Sequence, residues 1–277
     1  MIDLPDAAEI VRVALAEDLG PAGDVTTLAT VDAAATGRAR VVSREDGVVA
    51  GLPLAAQVYA AVGSGRVRFT ARVEDGARIT AGAVLAEVEG PMRDLLTGER
   101  TALNLLGQLS GVASLTRRWV DAVDGTGARI RDTRKTVPGL RALQKYAVRC
   151  GGGVNHRLSL SDAALVKDNH VAAAGGVVEA FRLVRERYPD LPLEIEVDTL
   201  EQARAVIDAG ADLVLLDNMG LDDLRATVLY AGGRAELEAS GGLRLANARA
   251  VAATGVHYLA VGALTHSAPV LDIGLDI

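Results

Sequence analysis

Leu193-Glu194-Ile195-Glu196-Val197 opens the stretch whose rhythm decides the fold. Three more short apolar runs follow it: Leu213-Val214-Leu215-Leu216-Asp217, Glu236-Leu237-Glu238-Ala239-Ser240 and Tyr258-Leu259-Ala260-Val261-Gly262. Helical segments lie between them. Thr199-Leu200-Glu201-Gln202 is a capping-box pattern, in which the first side chain satisfies a backbone N–H of the opening turn. That helix runs through Ala203, Val206 and Ile207 to Gly210. Leu221 to Ala231 stops at Gly232-Gly233, and Leu245 to Thr254 stops at Gly255. The strand tips at 196, 217, 240 and 262 are 21, 23 and 22 residues apart. So regular an alternation predicts an α/β fold of parallel strands with right-handed crossovers. No glycine-rich dinucleotide fingerprint follows a first strand, so a (β/α) barrel is expected over a doubly wound sheet.

Working back toward the N-terminus, Ala164-Leu165-Val166 reads as a strand ending in Lys167-Asp168-Asn169-His170. Ala128-Arg129-Ile130-Arg131 reads as another, ending in Asp132-Thr133-Arg134-Lys135-Thr136. Residues 92–123 read as helix, with Leu95, Leu96, Leu103, Leu105, Leu106 and Leu109 at helical spacing. Residues 38–90 alternate like strands, punctuated by Asp46-Gly47, Asp75-Gly76 and Ala81-Gly82. Residues 1–18 read as helix.

Of the 277 residues, 49% are hydrophobic and 23% charged, which is globular and excludes long disordered tracts. The single cysteine, Cys150, excludes a disulfide scaffold or a multi-cysteine metal cage. No run of 18 uncharged apolar residues predicts a membrane span, and no basic segment precedes an apolar one at the N-terminus. A cytoplasmic protein without a signal peptide is the expectation.

The net charge of −7 argues against nucleic acid as a partner. The charge is unevenly placed, however. Residues 129–170 carry a net +6, leaving −13 for the remainder. A solvated helix face is the plainer reading of such a run. A basic island in an acidic chain also focuses a field on a small anion, and His156 and His170 fall inside it.

A barrel builds its active site at the C-terminal ends of its strands. Here those ends carry Glu196, Asp217, Ser240-Gly241-Gly242 and Gly262-Ala263, with Arg134-Lys135 and Lys167 on the earlier strands. Glycines let backbone N–H groups approach an anion, and the last loops of a barrel often hold a phosphate. Glu196 and Asp217 suit ribose hydroxyls or a Mg²⁺ ion. Arg134, Lys135, His156, Arg157 and Lys167 are more cations than one monophosphate needs, so the ligands should carry several negative charges. His266 follows Gly262 closely enough to reach the mouth. Arg129, Arg141 and Lys145 read as ordinary surface charges.

Longer motifs carry a resemblance. Ile130-Arg131-Asp132-Thr133-Arg134-Lys135-Thr136-Val137-Pro138-Gly139-Leu140-Arg141, then Lys145-Tyr146-Ala147-Val148, resembles the hallmark of the quinolinate phosphoribosyltransferase family. Gly151-Gly152-Gly153-Val154-Asn155-His156-Arg157 and Lys167-Asp168-Asn169-His170 resemble its next blocks. Glu17-Asp18-Leu19-Gly20, Gly23-Asp24-Val25-Thr26-Thr27, Glu99-Arg100-Thr101-Ala102-Leu103-Asn104 and Ser110-Gly111-Val112-Ala113 extend the likeness over almost the whole chain. Pro21-Ala22 and Glu238-Ala239-Ser240 are small departures that remove no charged site residue.

The resemblance implies an open α/β barrel over 107–266 and an N-terminal α/β sandwich over 1–106, joined by the tail 267–277. It implies synthesis of nicotinate mononucleotide from quinolinate and phosphoribosyl pyrophosphate, with loss of pyrophosphate and CO₂, in NAD biosynthesis. Mg²⁺ is the implied cofactor and a homodimer the implied assembly, with Arg100 reaching into the partner's site. Arg134, His156, Arg157 and Lys167 correspond to quinolinate-side cations, with Lys135 beside them. Glu196 and Asp217 correspond to acids near ribose and metal, and Ser240, Gly241 and Gly262 to phosphate loops, with Gly242, Ala263 and His266 nearby. Two rivals are a non-catalytic phosphate-ligand sensor and a transport-associated homologue on the same barrel. The intact cation set and both acids speak against them.

Overall fold

The computed structural model describes residues 4–277, so the first three residues of the N-terminal helical reading lie outside the described ones. In chain order the elements begin with helices α1 (Ala8–Leu19) and α2 (Val25–Thr30), then strands β1 (Thr36–Ser43) and β2 (Gly47–Val48). Next come α3 (Leu52–Gly63), β3 (Arg68–Ala71), β4 (Arg78–Ile79), β5 (Val84–Pro91) and the long α4 (Met92–Ala122). β6 (Arg129–Arg131), α5 (Arg141–Cys150), β7 (Ala164–Val166), α6 (Asp168–Ala174) and α7 (Val177–Arg187) follow. The regular part is β8 (Leu193–Val197), α8 (Leu200–Asp208), β9 (Leu213–Asp217), α9 (Leu221–Ala231), β10 (Glu236–Ser240), α10 (Leu245–Ala252) and β11 (Tyr258–Ala260). α11 (Ala263–His266) and β12 (Ile273–Asp276) close the chain.

Two compact units result. One runs through Arg117 and includes Thr136–Gly152 and Ala263–Ile277; the other comprises Arg118–Lys135 and Gly153–Gly262. The division at Arg117/Arg118 falls inside α4, not at the 106/107 boundary expected from the sequence. Residues 136–152 and 263–266, expected in the barrel, count with the N-terminal unit.

The N-terminal unit is an α/β sandwich. Its antiparallel sheet has the order β12-β1-β5-β3, so the chain's last strand returns to pair with β1, Ile273 opposite Ser43. Gly107 and Gly111, one turn apart on α4, admit the tail. A Cβ at Gly111 would stand 1.9 Å from the Pro269 carbonyl oxygen, and the Leu271 N–H donates to the Gly107 carbonyl at 3.0 Å. α3 corrects the strand-like reading of 38–90. Leu52-Pro53-Leu54-Ala55 places a proline in the first turn, where its missing N–H costs nothing. The Asp75 carboxylate accepts from the Gly51 and Leu52 N–H groups at 2.6 and 3.1 Å, capping the helix from another segment. A cap 23 residues away has no local signature. Lys145, expected at the surface, is fully buried in α5. Burial also pushes the Cys150 thiol up to about 12, which leaves no thiolate nucleophile at neutral pH.

The second unit carries a six-stranded parallel sheet in the order β6-β11-β10-β9-β8-β7, with β6 and β7 at its two edges, an open barrel. Register is fixed by pairs such as Ile195 with Val214, Leu216 with Ala239 and Leu259 with Ile130. Ile195, Val214, Leu216, Leu237 and Leu259 are buried, as parallel strands covered on both faces require. The observed β8, β9 and β10 match the expected strands residue for residue, and β11 stops two residues earlier than 262. No described helix is long and apolar enough to cross a membrane.

Candidate active site

The C-terminal ends of these strands surround a cavity of about 350 Å³. Thr133, Arg134 and Lys135 follow β6; His156 and Arg157 come from the next loop; Lys167 follows β7; Glu196, Asp217, Glu238 and Ser240 come from β8, β9 and β10. Eight of the residues expected from the sequence are therefore brought together: Arg134, Lys135, His156, Arg157, Lys167, Glu196, Asp217 and Ser240. A groove of about 560 Å³ on the sandwich sheet is larger. Its arginines are matched by acids on the next strand, as in Arg72–Glu87 at 2.6 Å and Arg68–Glu89. Chemistry, not volume, selects the barrel mouth.

The cationic side rests on buried polar groups. Val154 runs beside β6 through a parallel bridge to Arg131. Asp132, fully buried, accepts from the Asn155 amide at 2.6 Å and from the His156 N–H at 2.8 Å. The Arg157 guanidinium donates to the Ala163 carbonyl at 2.8 Å. Burial and the nearby Arg134 charge lower the Arg157 pKa, which still leaves an arginine cationic at neutral pH. The Nε atoms of Arg134 and Arg157 are buried without a hydrogen-bond partner among the described residues. Buried donors of this kind carry a desolvation cost that an anionic ligand removes. Lys167 donates to Glu196 at 2.8 Å, so one cation and one acid of the site hold each other.

Beneath the mouth lies a layer that sequence reasoning missed. Glu194 and Glu238 are buried carboxylates. Glu194 stands 2.6 Å from His156 Nε2, and Glu238 receives Arg131 at 2.7 Å and lies 3.7 Å from the same imidazole. Burial, reinforced by the Glu194 charge, pushes the Glu238 carboxyl up to about 7. A period-2 signal was available. Glu194 lies two residues before Glu196, and Glu238 two before Ser240, on the same strand faces one layer deeper.

The other side of the mouth is made of strand tips and backbone. Asn218, just past β9, adopts a left-handed φ of 54°. Its amide donates to Asp217 at 2.6 Å and its N–H to the Ser240 carbonyl at 2.9 Å. Gly241 has φ 80°, and a Cβ there would lie 2.1 Å from Asn218 Oδ1, so only glycine fits. Asn247 ties the loop through the Gly242 carbonyl at 3.2 Å. Gly241 and Gly242 line a second cavity of about 310 Å³ that shares Ser240 with the main one. The main cavity reaches β11 at Ala260, and Gly262 lies two residues beyond. Ala263 and His266 belong to α11 in the N-terminal unit, where His266 Nδ1 meets the Ser267 hydroxyl at 2.6 Å. Arg100 is exposed on α4 of that unit, 3.9 Å from Glu99.

Residues 24–110 match the family model for the N-terminal domain of quinolinate phosphoribosyl transferase, and residues 112–276 match that for its C-terminal domain. The chain belongs to the quinolinate phosphoribosyltransferase family. Among curated relatives, the nicotinate-nucleotide pyrophosphorylase [carboxylating] of Mycobacterium leprae is 55% identical over 98% of this chain and 97% of its own length. The probable enzyme of the same name from Bacillus subtilis is 40% identical over 94% and 90%. Among solved structures, NadC from Streptococcus pyogenes superposes with a TM-score of 0.96 at 37% identity, covering 100% of this chain and 98% of that one. The nicotinate-nucleotide pyrophosphorylase of Francisella tularensis gives 0.95 at 36%, covering 99% and 98%. The family likeness thus spans both units, and the open barrel with its N-terminal sandwich is that of quinolinate phosphoribosyltransferases.

Proposed function

We propose that the chain joins quinolinate to phosphoribosyl pyrophosphate and releases nicotinate mononucleotide, pyrophosphate and CO₂, a step of NAD biosynthesis. The observation that carries this reading is one pocket lined by four cations, Arg134, Lys135, Arg157 and Lys167, and by the strand-tip carboxylates Glu196 and Asp217, with Ser240 leading into the glycine loop of the adjoining cavity. Quinolinate is a pyridine dicarboxylate. Arg134, Arg157, Lys135 and Lys167 supply charge for both carboxylates, the two arginines in planar bidentate fashion. A pocket built for nicotinate would have one carboxylate to hold.

The pyridine nitrogen attacks the anomeric carbon as the C–O bond to pyrophosphate breaks. Positive charge develops on the sugar, and the Glu196 and Asp217 carboxylates stabilise it while orienting the ribose hydroxyls. Ser240, Gly241, Gly242 and Gly262 receive the 5′-phosphate through backbone N–H groups. Bond formation leaves the ring nitrogen cationic. The adjacent C–CO₂⁻ bond then breaks with its electron pair left on the ring carbon beside the cationic nitrogen, CO₂ departs and that carbon takes a proton from water. The protein contributes positioning and fixed charge, with no covalent enzyme intermediate.

Mg²⁺ fits the oxygen-only donors at this mouth, and Glu196 and Asp217 would hold it, directly or through water. When bound it neutralises charge on the pyrophosphate. The working unit is a homodimer in which Arg100 of one subunit completes the other's site. The setting is cytoplasmic, with neither nucleic acid nor membrane as partner.

The test is release of CO₂ and nicotinate mononucleotide by purified protein given quinolinate, phosphoribosyl pyrophosphate and Mg²⁺, beside a nicotinate control. Product with quinolinate alone supports the reading. Product with nicotinate, or saturable binding without turnover, refutes it. Mixing Arg100→Ala with Lys167→Ala protein should restore partial activity, and failure to do so would remove the shared-site arrangement.

A further inference from the structure

His156 sits in the pocket wall among arginines and lysines, where its ring looks like one more cation for the substrate. Its hydrogen bonds assign it differently. The Arg157 backbone N–H donates to His156 Nδ1 at 2.7 Å. A ring nitrogen that accepts a hydrogen bond carries no proton. The proton of the ring therefore sits on Nε2, which faces Glu194 at 2.6 Å and donates to it. An imidazolium would set an Nδ1–H against the Arg157 N–H, two donors head to head in a nearly dry place. The side chain is 9% exposed.

The surrounding charges agree. From β8 comes Glu194, from β10 Glu238, and from β6 Arg131; Asp132 holds the His156 N–H, and Arg157 follows in the chain. Arg131 already supplies the cation beside Glu238. Burial disfavours a second cation in the same dry layer. The His156, Glu194 and Glu238 ligand atoms lie within 4.8 Å of one another, the spacing of a metal site. The Nε2 proton removes the lone pair a metal would need.

We propose that His156 is a neutral positioning residue, an Nε2–H imidazole that ties the Arg157 backbone to Glu194 under the pocket, and not one of the cations that bind the substrate carboxylates. It acts through Arg157: ring, backbone N–H and guanidinium form one unit anchored on β8. This rests on the reading of the pocket as a quinolinate site, but the state of the ring is measurable without turnover.

The full-length protein, labelled with ¹⁵N-histidine, has four histidines to resolve: His156, His170, His257 and His266. At pH 7 the His156 ring should show one protonated nitrogen, Nε2, and one bare nitrogen, Nδ1, both alone and with saturating quinolinate. Two protonated nitrogens in either state, or a proton on Nδ1, would overturn the proposal. His156→Gln assigns the signals; removing His170, His257 and His266 singly assigns them by elimination if that variant fails to fold. In steady-state kinetics, His156→Asn keeps an acceptor for the Arg157 N–H and should hold a quinolinate KM about tenfold below that of His156→Ala. The KM for phosphoribosyl pyrophosphate should barely differ between the two. Equal quinolinate KM values for Asn and Ala would contradict the brace. An inactive wild-type enzyme with the expected ring state would refute the quinolinate reading and leave the tautomer standing.

Discussion

The two sides of the barrel mouth are built by different means. On one, Arg134, Lys135 and Arg157 stand on loops, and the His156-Arg157 backbone is tied to a layer of Asp132, Asn155, His156, Glu194, Glu238 and Arg131, of which the three acids are buried. On the other, Glu196, Asp217 and Ser240 belong to the strands themselves, and the glycine loop is shaped by backbone conformation and by Asn218. The difference follows from the ligand each side would hold. Carboxylates need long cationic side chains, whose freedom must be removed by support from below. A phosphate is held by backbone N–H groups, which strand ends and glycines fix without such support.

The largest expected effect breaks the cationic side alone. Arg134→Ala should weaken quinolinate binding by about 1–3 kcal/mol, the worth of a charged hydrogen-bond partner, and leave phosphoribosyl pyrophosphate binding little changed. Titration calorimetry with each substrate checks it, and equal losses for both would erase the proposed division. Gly241→Ala attacks the other side. The left-handed backbone costs a Cβ-bearing residue about 1–2 kcal/mol, and the 2.1 Å approach to Asn218 adds to it. Urea unfolding should register that loss, and phosphoribosyl pyrophosphate affinity should fall while quinolinate affinity holds.

A smaller effect tests the supporting layer. Glu238 holds its proton up to about 7 in the folded protein, above an ordinary 4.5. Folding is thus linked to proton retention: the contribution is complete below about pH 4.5 and is lost as pH rises through 7. Over that window stability should decline as pH rises, and Glu238→Gln should flatten the decline in a series of urea melts. An unchanged slope in Glu238→Gln would mean that Arg131 keeps the carboxylate ionised.

The same contrast governs what the sequence revealed. β8, β9 and β10 were legible to the residue because buried parallel strands read as short apolar runs between glycine-stopped helices. Their tip residues followed at once from barrel geometry. Helix α3 escaped because its cap, Asp75, is contributed from a distant segment. Glu194 and Glu238 escaped because a glutamate in an apolar strand reads as an outward-facing residue. Here each points inward, one layer below Glu196 and Ser240. Lys145 escaped for the same reason, since a charge gives no local sign that the fold will bury it. His156 was visible as a member of the cationic set, but its part depends on two partners, the Arg157 N–H and Glu194, that only the folded chain brings to its ring.

The claim that the loop-borne side is a dicarboxylate clamp is tested most directly by calorimetric titration of the wild-type protein with quinolinate and with nicotinate. The account predicts that quinolinate binds more tightly by about a factor of ten or more, since the second carboxylate adds at least one charge-assisted contact. Nicotinate bound as tightly as quinolinate would contradict it.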